Sequence, residues 1–499
     1  MKQNTITTMK NQIPNNVSRA TKTLKDNSFE AFLVGGCVRD LLRDAKPTDW
    51  DITTNAKPEE IIEIFEKEGI RTVYENTFGT VAIVYKDEDD ETEDIIEITP
   101  YRTETKYSDN RHPDSVKFAD NLSDDLKRRD FTINAMAMDI QTGEIVDLFD
   151  GKQDLENKII RAVGDASERF NEDALRMLRA VRFSSQLGFE ISRVTLDAVQ
   201  KNAKLLENIS GERIRDEFFK LIMGKEPMKA LNVARATSVL DHFLPEMAEG
   251  VGIDQSRNHV YDVWEHQLRA MNYAVEQNYP LLMRVTSLFH DIGKPRTRRR
   301  DHEKEIWTFY GHEVVGARIA KKIAERLRFP REFSEKLYKL VRWHMFFSDP
   351  DIITLAAVRR MIANVGHDLI WDLMILRQCD RKGMGRPKAV PYRLRKYQSM
   401  IDEALHDPVS VKQLKLNGDY MIAEMKMKPG PRMGWILHAL LEEVLDDPKK
   451  NTLEYLKERT LDLNELDDKN LQTLGEQGKD KRDEAQAGEI KEIRKQHRV

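Results

Sequence analysis

Between residues 30 and 100 short apolar runs alternate with helix-like stretches. Phe32-Leu33-Val34 reads as a strand, a helix begins at about Cys37, Asp49–Thr53 reads as a strand, and a helix opens at Pro58. Further strands are expected over 71–74, 80–85 and 95–99, so this part predicts a small α/β unit. From about Asn171 the period changes. Ala174, Leu175, Leu178, Val181 and Phe183 recur at helical spacing, and nearly everything downstream reads helical. The stretch from about 255 to 390 adds many histidines, and 395–465 holds the turn Lys428-Pro429-Gly430-Pro431 ahead of an apolar helix. From about Asp467 the chain is charged and poor in apolar residues, so it is expected to be disordered or a loosely attached helix.

Length and charge narrow this picture. At 499 residues the chain exceeds what one core can organise, so several domains are expected. No run of about 18 apolar residues exists and the N-terminus lacks the apolar stretch of a signal peptide, which points to a protein neither exported nor anchored. Cys37 and Cys379 are the only cysteines, too few for a disulfide framework, so a reducing cytoplasm is expected and neither thiol reads as catalytic. A net charge of −5 argues against coating by nucleic acid over the whole surface. Any RNA must be held by local patches: Lys127-Arg128-Arg129, the series Arg176, Arg179 and Arg182, and Arg296–Arg300 with its interruption at Thr297.

Two features carry chemistry. The run from Phe32 through Gly35-Gly36 into a helix lets backbone N–H groups approach phosphate, and Arg39 adds a positive charge. A dozen residues on, Asp49-Trp50-Asp51 places two carboxylates at i and i+2 of the expected strand, so both are expected on one face. Alone, such a pair is more often solvated than functional. Two like charges so close favour a hard cation, and Mg²⁺ accepts one or two carboxylates plus substrate phosphates. Together, glycine turn and carboxylates supply the positioning and the metal sites that phosphoryl transfer needs.

The residues G-G-C-V-R-D-x8-D-W-D resemble motif A of the nucleotidyltransferase superfamily, specifically the class II tRNA nucleotidyltransferases and bacterial poly(A) polymerases. Arg128-Arg129-Asp130-Phe131-Thr132-Ile133-Asn134-Ala135 is similar to the family's ribose-recognition motif, Asp147-Leu148-Phe149-Asp150-Gly151 to its hinge, Glu172-Asp173-x-x-Arg176 to its base-reading motif, and Glu212-Arg213-Ile214-Arg215 to the supporting helix. The resemblance implies a multi-domain α+β protein: a small α/β nucleotidyltransferase head, then an all-helical neck, body and tail. The expected division is a flexible N-terminus over 1–21, head over 22–163, neck over 164–254, HD domain over 255–392, tail over 393–466 and a charged, disordered end over 467–499. It also implies addition of CCA to tRNA from CTP and ATP, with Gly35, Gly36, Arg39, Arg129, Asp130, Asn134, Asp173, Arg176, Arg179 and Arg182 binding nucleotide.

Base choice has a chemical rationale. Asp173 and Arg176, at i and i+3, are expected on one helix face. Cytosine and adenine each offer an exocyclic amine beside a bare ring nitrogen, so a carboxylate acceptor and a guanidinium donor suit both, whereas uracil and guanine present the opposite pattern. The segment Asn76–Val81 resembles tRNA-end-adding members more than poly(A) polymerases, and the polar stretch Arg102–Lys117 corresponds to a loop the family needs to add the terminal A. An A-adding enzyme, a poly(A) polymerase and an HD phosphohydrolase with a regulatory head remain alternatives. Glu97 is a candidate third carboxylate beside the metals.

Farther on, His266, His290-Asp291, His312, His344 and Asp380 have the order of ligands in HD-domain phosphohydrolases, which His290-Asp291-Ile292-Gly293-Lys294 resembles. Imidazole with carboxylate favours Ni²⁺, Mn²⁺, Zn²⁺ or Fe²⁺. Hydrolysis of phosphomonoesters or 2′,3′-cyclic phosphates is the activity implied. Lys428 and Arg432, flanking the Pro429-Gly430-Pro431 turn, are the candidate RNA contacts of the tail.

Overall fold

The computed structural model describes residues 9–74, 79–86, 93–104, 116–255, 260–346, 353–405 and 414–477. Residues 76–78 of the Asn76–Val81 segment, 105–115 of the expected A-addition loop and the last residues from 478 lie outside this set. The chain forms two compact units, residues 1–342 with 382–385, and residues 343–381 with 386–499.

The first unit opens with a seven-stranded sheet built from β1 (Ala31–Val34), β2 (Asp51–Thr54), β3 (Arg71–Tyr74), β4 (Val81–Lys86), β5 (Glu93–Pro100), β8 (Met136–Met138) and β9 (Ile145–Asp147), with a separate ribbon of β6 (Arg102–Glu104) and β7 (Val116–Phe118). The sheet order is β3-β4-β5-β2-β1-β8-β9. Strand β2 runs antiparallel to β1 and parallel to β5, and its register sets Asp51 directly opposite Glu97. Leu33, Ile52, Ile83 and Ile98 are buried beneath it.

Five of the sheet strands follow the sequence reading closely. Strands β8 and β9 were not expected, because three residues each give too little alternation and Met-Ala-Met lacks β-branched side chains. A second correction concerns Asp49, which lies in a bend before β2 rather than on the strand. A third concerns the N-terminus. Residues 1–8 lie outside the described set, but over 9–21, in place of a flexible segment, a helix over Asn15–Asp26 buries Val17, Ala20, Thr21 and Leu24, and Met9 and Ile13 join the same core.

Helices dominate from Ala166 onward. No break in packing falls at residue 254, where the neck was expected to end. Phe218 of the neck lies 6.0 Å from Phe243 and 6.3 Å from Phe289, so one apolar core continues into the histidine-rich part. The compact units instead divide the expected HD segment, at residue 342.

In the second unit Leu416, Met421, Ile436, Leu440, Leu456 and Leu463 form the core of the tail helices. Residues 468–477 are helical, and Leu471 is fully buried in that core. The described part of the segment after Asp467 is therefore ordered. Its few leucines suffice because they fall on one face. Among the described residues no helix is long and apolar enough to cross a membrane.

Candidate active site

A cleft of about 640 Å³ opens between the sheet and the helix Leu175–Leu187. Gly35, Gly36, Arg39, Asp49, Asp51, Arg129, Asp130, Asn134, Arg179 and Arg182 all line it. Gly35 has φ 82°, the left-handed region that side chains resist, and a Cβ there would lie 3.1 Å from Arg129 Nη1 and 3.6 Å from Asp51 Oδ2. Glycine is thus needed for the turn, and the crowding a Cβ would bring falls on the end of Arg129 rather than on Asp51.

Burial raises the Asp51 pKa, Arg129 opposes the rise and Asp49 reinforces it. Asp49 thus acts on Asp51 although only Asp51 is on the strand. Two like charges lining one cleft suit a divalent cation, which would relieve the repulsion. Glu97 faces Asp51 across the parallel pair but is exposed and is not among the residues lining the cleft.

The other wall is a chain of hydrogen bonds and ion pairs. Arg39 donates to Asn134 Oδ1 at 2.9 Å, and Asn134 Nδ2 donates to Asp130 Oδ1 at 3.2 Å. Arg179 donates to Asp130 Oδ2 through Nε and Nη2. Burial opposes the Asp130 charge, yet Arg179, Asn134 and Arg176 together hold the carboxyl at about 2. Arg182 pairs with buried Glu217 at 2.9 Å, and burial together with neighbouring Arg179 brings its guanidinium down to about 10. The lining carries eight Lys or Arg side chains against four Asp, an excess that suits a polyphosphate.

Asp125 escaped the sequence reading. Fully buried, it accepts from Arg128 Nη2 at 2.6 Å, from Arg129 Nη2 at 3.1 Å and from Thr53 Oγ1 at 3.3 Å. One carboxylate thereby joins an arginine of the cleft to the strand that bears Asp51. The available signal was its spacing, three and four residues ahead of Arg128 and Arg129. Cys37 borders the cleft, but burial first and then Asp51 push its thiol up to about 11, which leaves it unreactive.

Asp173 and Arg176 do not share a helix face. Asp173 ends the helix Ala166–Glu172 in an extended conformation, and Arg176 lies in the first turn of the next. Asp173 accepts from Arg213 at 2.7 Å, while Arg176 donates to Glu172 at 2.5 Å and to the carbonyl of Arg128 at 3.1 Å. Neither lines the cleft, although Arg176 lowers the Asp130 pKa and Asp173 raises that of Arg179, so both border its wall.

The hinge motif also requires its glycine. Asp147 accepts from the N–H of Gly151 at 2.8 Å and of Lys152 at 2.9 Å, capping the helix Gly151–Glu156. A Cβ on Gly151 would meet the carbonyl oxygen of Thr132 at 2.4 Å.

A second cluster gathers deeper in the same unit. Asp291 lies 3.0 Å from His266 Nε2, 3.2 Å from His290 Nε2 and 3.2 Å from His312 Nε2, all buried. Lys294 adds an ion pair at 2.6 Å. Burial opposes the Asp291 charge, but His290 and Lys294 hold its carboxyl well below the usual range. Four of the six expected ligands are thus brought together in this unit; His344 and Asp380, each buried, belong to the second.

In the tail, Lys428 is exposed, as an RNA contact requires. Arg432 is not available in that way. It donates to the carbonyls of Asn464 at 2.7 Å and Leu466 at 2.6 Å and pairs with Asp468, closing the C-terminal end of the helix Leu453–Glu465.

Comparison with known proteins accords with this geometry. The family described as the Poly A polymerase head domain matches residues 31–161, the probable RNA and SrmB-binding site of polymerase A matches 188–250, and the HD domain matches 263–381. A CCA-adding enzyme of Streptococcus pneumoniae serotype 19F is 32% identical over 457 residues, covering 90% of this chain and 99% of that one. The chain belongs to the CCA-adding enzyme family. A family member from Lactobacillus helveticus is 51% identical over 230 residues, 46% of this chain. That match spans 54% of the Lactobacillus enzyme, so the chain aligns with about half the length of such relatives. Among solved structures, the Bacillus stearothermophilus CCA-adding enzyme in complex with CTP superposes with a TM-score of 0.55 at 26% identity, over 90% of this chain and 97% of that one. The Thermotoga maritima CCA-adding enzyme complexed with tRNA shares the fold, with a TM-score of 0.51 at 20% identity over 92% of this chain and 98% of that one.

Proposed function

We propose that this chain adds CCA to the 3′ end of tRNA from CTP and ATP without a nucleic-acid template. The observation that carries the reading is the cleft in which Asp51 lies beneath Gly35 and faces an excess of cations. Asp49 and Asp51 would hold Mg²⁺, with Glu97 as a neighbouring carboxylate. Held by these carboxylates, the metal would supply Lewis acidity toward the attacking hydroxyl and charge neutralisation toward the leaving pyrophosphate. The protein's part is positioning. Arg39, Arg129, Arg179 and Arg182 draw in the triphosphate, the Gly35-Gly36 turn lets it approach the backbone, and Asp130 with Asn134 bounds the ribose side.

Base selection is assigned to Asp173 and Arg176. At present Asp173 accepts from Arg213 and Arg176 donates to Glu172, contacts that orient the pair. A good bidentate contact discriminates by roughly 1–3 kcal/mol. That the family relatives are named CCA-adding enzymes, one of them solved with CTP, supports C and A as the nucleotides. The first 3′ additions can be read directly: tRNA lacking CCA is incubated with Mg²⁺ and each labelled nucleotide, and product ends are sequenced. Three defined additions that stop support the proposal, an A alone indicates an A-adding enzyme, and long A tails indicate a poly(A) polymerase. Wild-type discrimination retained in both Asp173→Ala and Arg176→Ala would remove the base-reading assignment.

The cluster of His266, His290, Asp291 and His312 supports a second reading in the same chain, a phosphohydrolase acting on phosphomonoesters or 2′,3′-cyclic phosphates. These residues would hold a transition metal such as Ni²⁺, Mn²⁺, Zn²⁺ or Fe²⁺. Such a step would expose a clean 3′ hydroxyl for transfer. Purified protein without bound transition metal and without hydrolysis on addition of Ni²⁺ or Mn²⁺ would remove it.

A further inference from the structure

Between two members of the histidine cluster the chain makes a hairpin that the preceding chemistry does not use. Arg299–Asp301 pairs antiparallel with Ile306–Thr308, and the register sets Arg300 opposite Trp307. Because side chains alternate along a strand, Arg298, Arg300 and Trp307 share one face. The guanidinium of Arg298 lies 3.7 Å from the Trp307 ring centroid and that of Arg300 5.3 Å. Arg299 and Arg300 are exposed, and Tyr310 at the base of the hairpin is 83% exposed.

Both stems are fixed to the cluster. Lys294 on the entering side bonds Asp291 at 2.6 Å, and the Phe309 carbonyl on the leaving side accepts from His312 Nδ1 at 2.7 Å. An object held on this face is therefore held at a set distance from the cluster. Acidic Asp301, Glu303 and Glu305 are confined to the turn and its flank, where Asp301 is engaged with the backbone N–H groups of Glu303 and Lys304. The positive end of the hairpin is the end nearest His312.

We propose that this hairpin is an arm for single-stranded RNA, which grips the nucleotides next to a 3′ end and presents that end to the His266, His290, Asp291 and His312 cluster. The inference rests on RNA being the substrate. Planar guanidinium groups parked against an indole are pre-oriented both to bond phosphate and to stack on a base, and alternating cation and ring suits a flexible strand better than a rigid helix. An exposed tyrosine beside them offers a further stacking surface.

The test uses the full chain and two fluorescent probes, a single-stranded RNA ten-mer and a tRNA lacking CCA. In Arg299→Ser/Arg300→Ser, affinity for the ten-mer should fall about tenfold and the log–log salt slope by roughly 1.4, about 0.7 for each phosphate that is no longer neutralised. Arg300→Lys, which keeps charge but not planarity, should recover the slope and only part of the affinity. CTP binding, measured in parallel, should match the parent and shows that the variants are folded. Unchanged ten-mer affinity and slope in the double variant overturn the arm while leaving CCA addition standing. A parent protein that binds neither RNA overturns both.

Discussion

Arg179 reaches Asp130 through two nitrogens, at 2.9 and 2.7 Å, and both of these bonds end on a single carboxylate oxygen. The other oxygen takes the N–H of Phe131 and the amide of Asn134. This pair ties the head to the helix Leu175–Leu187 across the cleft wall, beside the apolar contacts of Leu178, Val181 and Phe183.

Asp130→Asn should therefore cost stability as well as activity. A carboxyl held at about 2 against an ordinary value of 3.8 contributes stability that is full above the ordinary value and lost as pH falls through about 2. The difference is on the order of 2 kcal/mol at neutral pH. Urea denaturation at about pH 7 and about pH 2.5 checks it. An equal gap between parent and variant at both pH values would sink the assignment.

Asp125 gives a sharper contrast. Asp125→Ala leaves Arg128 and Arg129 without their shared partner in a buried place, and about 3–5 kcal/mol should be lost. Asp125→Asn keeps the shape but not the charge. It should lose less stability and raise KM for CTP and ATP, because Arg129 is then free to drift from the cleft. If KM is unmoved in a folded Asp125→Asn protein, the residue only supports the fold.

Asp51 should behave in the opposite sense to Asp130. Its raised pKa means that its charge costs stability once pH rises above the ordinary carboxylate value. Asp51→Asn should thus melt no lower than the parent in metal-free buffer near pH 7, while transfer falls at least 10²- to 10³-fold, the scale of losing one electrostatic group in a site. Mn²⁺ binding to the parent should strengthen with pH across the raised range, and Asp49→Asn should move the onset of Asp51 ionisation downward. A lower melting temperature for metal-free Asp51→Asn would contradict the reasoning.

In the tail the two candidate RNA residues should separate. Lys428→Ala should weaken tRNA binding and reduce the salt slope by roughly 0.7–0.9 without altering the melting curve. Arg432→Ala should lower the melting temperature instead, since it removes the bonds that close the helix Leu453–Glu465. Equal effects of the two substitutions on stability would reverse this division.

How far the chain could be read in advance depended on the length of each signal. Gly35, Asp51, Arg129, Asp130 and Asn134 sit together in space because their motifs each fit a single turn or strand end, which local pattern records well. Strands β8 and β9 were too short for alternation to register. The helix Asn15–Asp26 was hidden by its polar majority, since only its buried face carries the information. Asp173 and Arg176 show a different limit: spacing implies a common helix face, but the chain breaks between them, and no pattern in four residues announces that break. Asp125 shows a third, because its importance lies in partners on another element.

The lining of the cleft is drawn from residues as far apart as Gly35 and Lys225. During synthesis, then, a nascent chain cannot acquire a finished nucleotide pocket when its sheet folds; the pocket appears only after the helix Gly211–Ile222, whose Lys220 lines the cleft, has left the ribosome and docked. Nucleotide analogues that protect the cleft would consequently report the arrival of that later helix, and a ribosome-bound series of lengthening chains would show protection as a step well past the point at which the sheet resists protease.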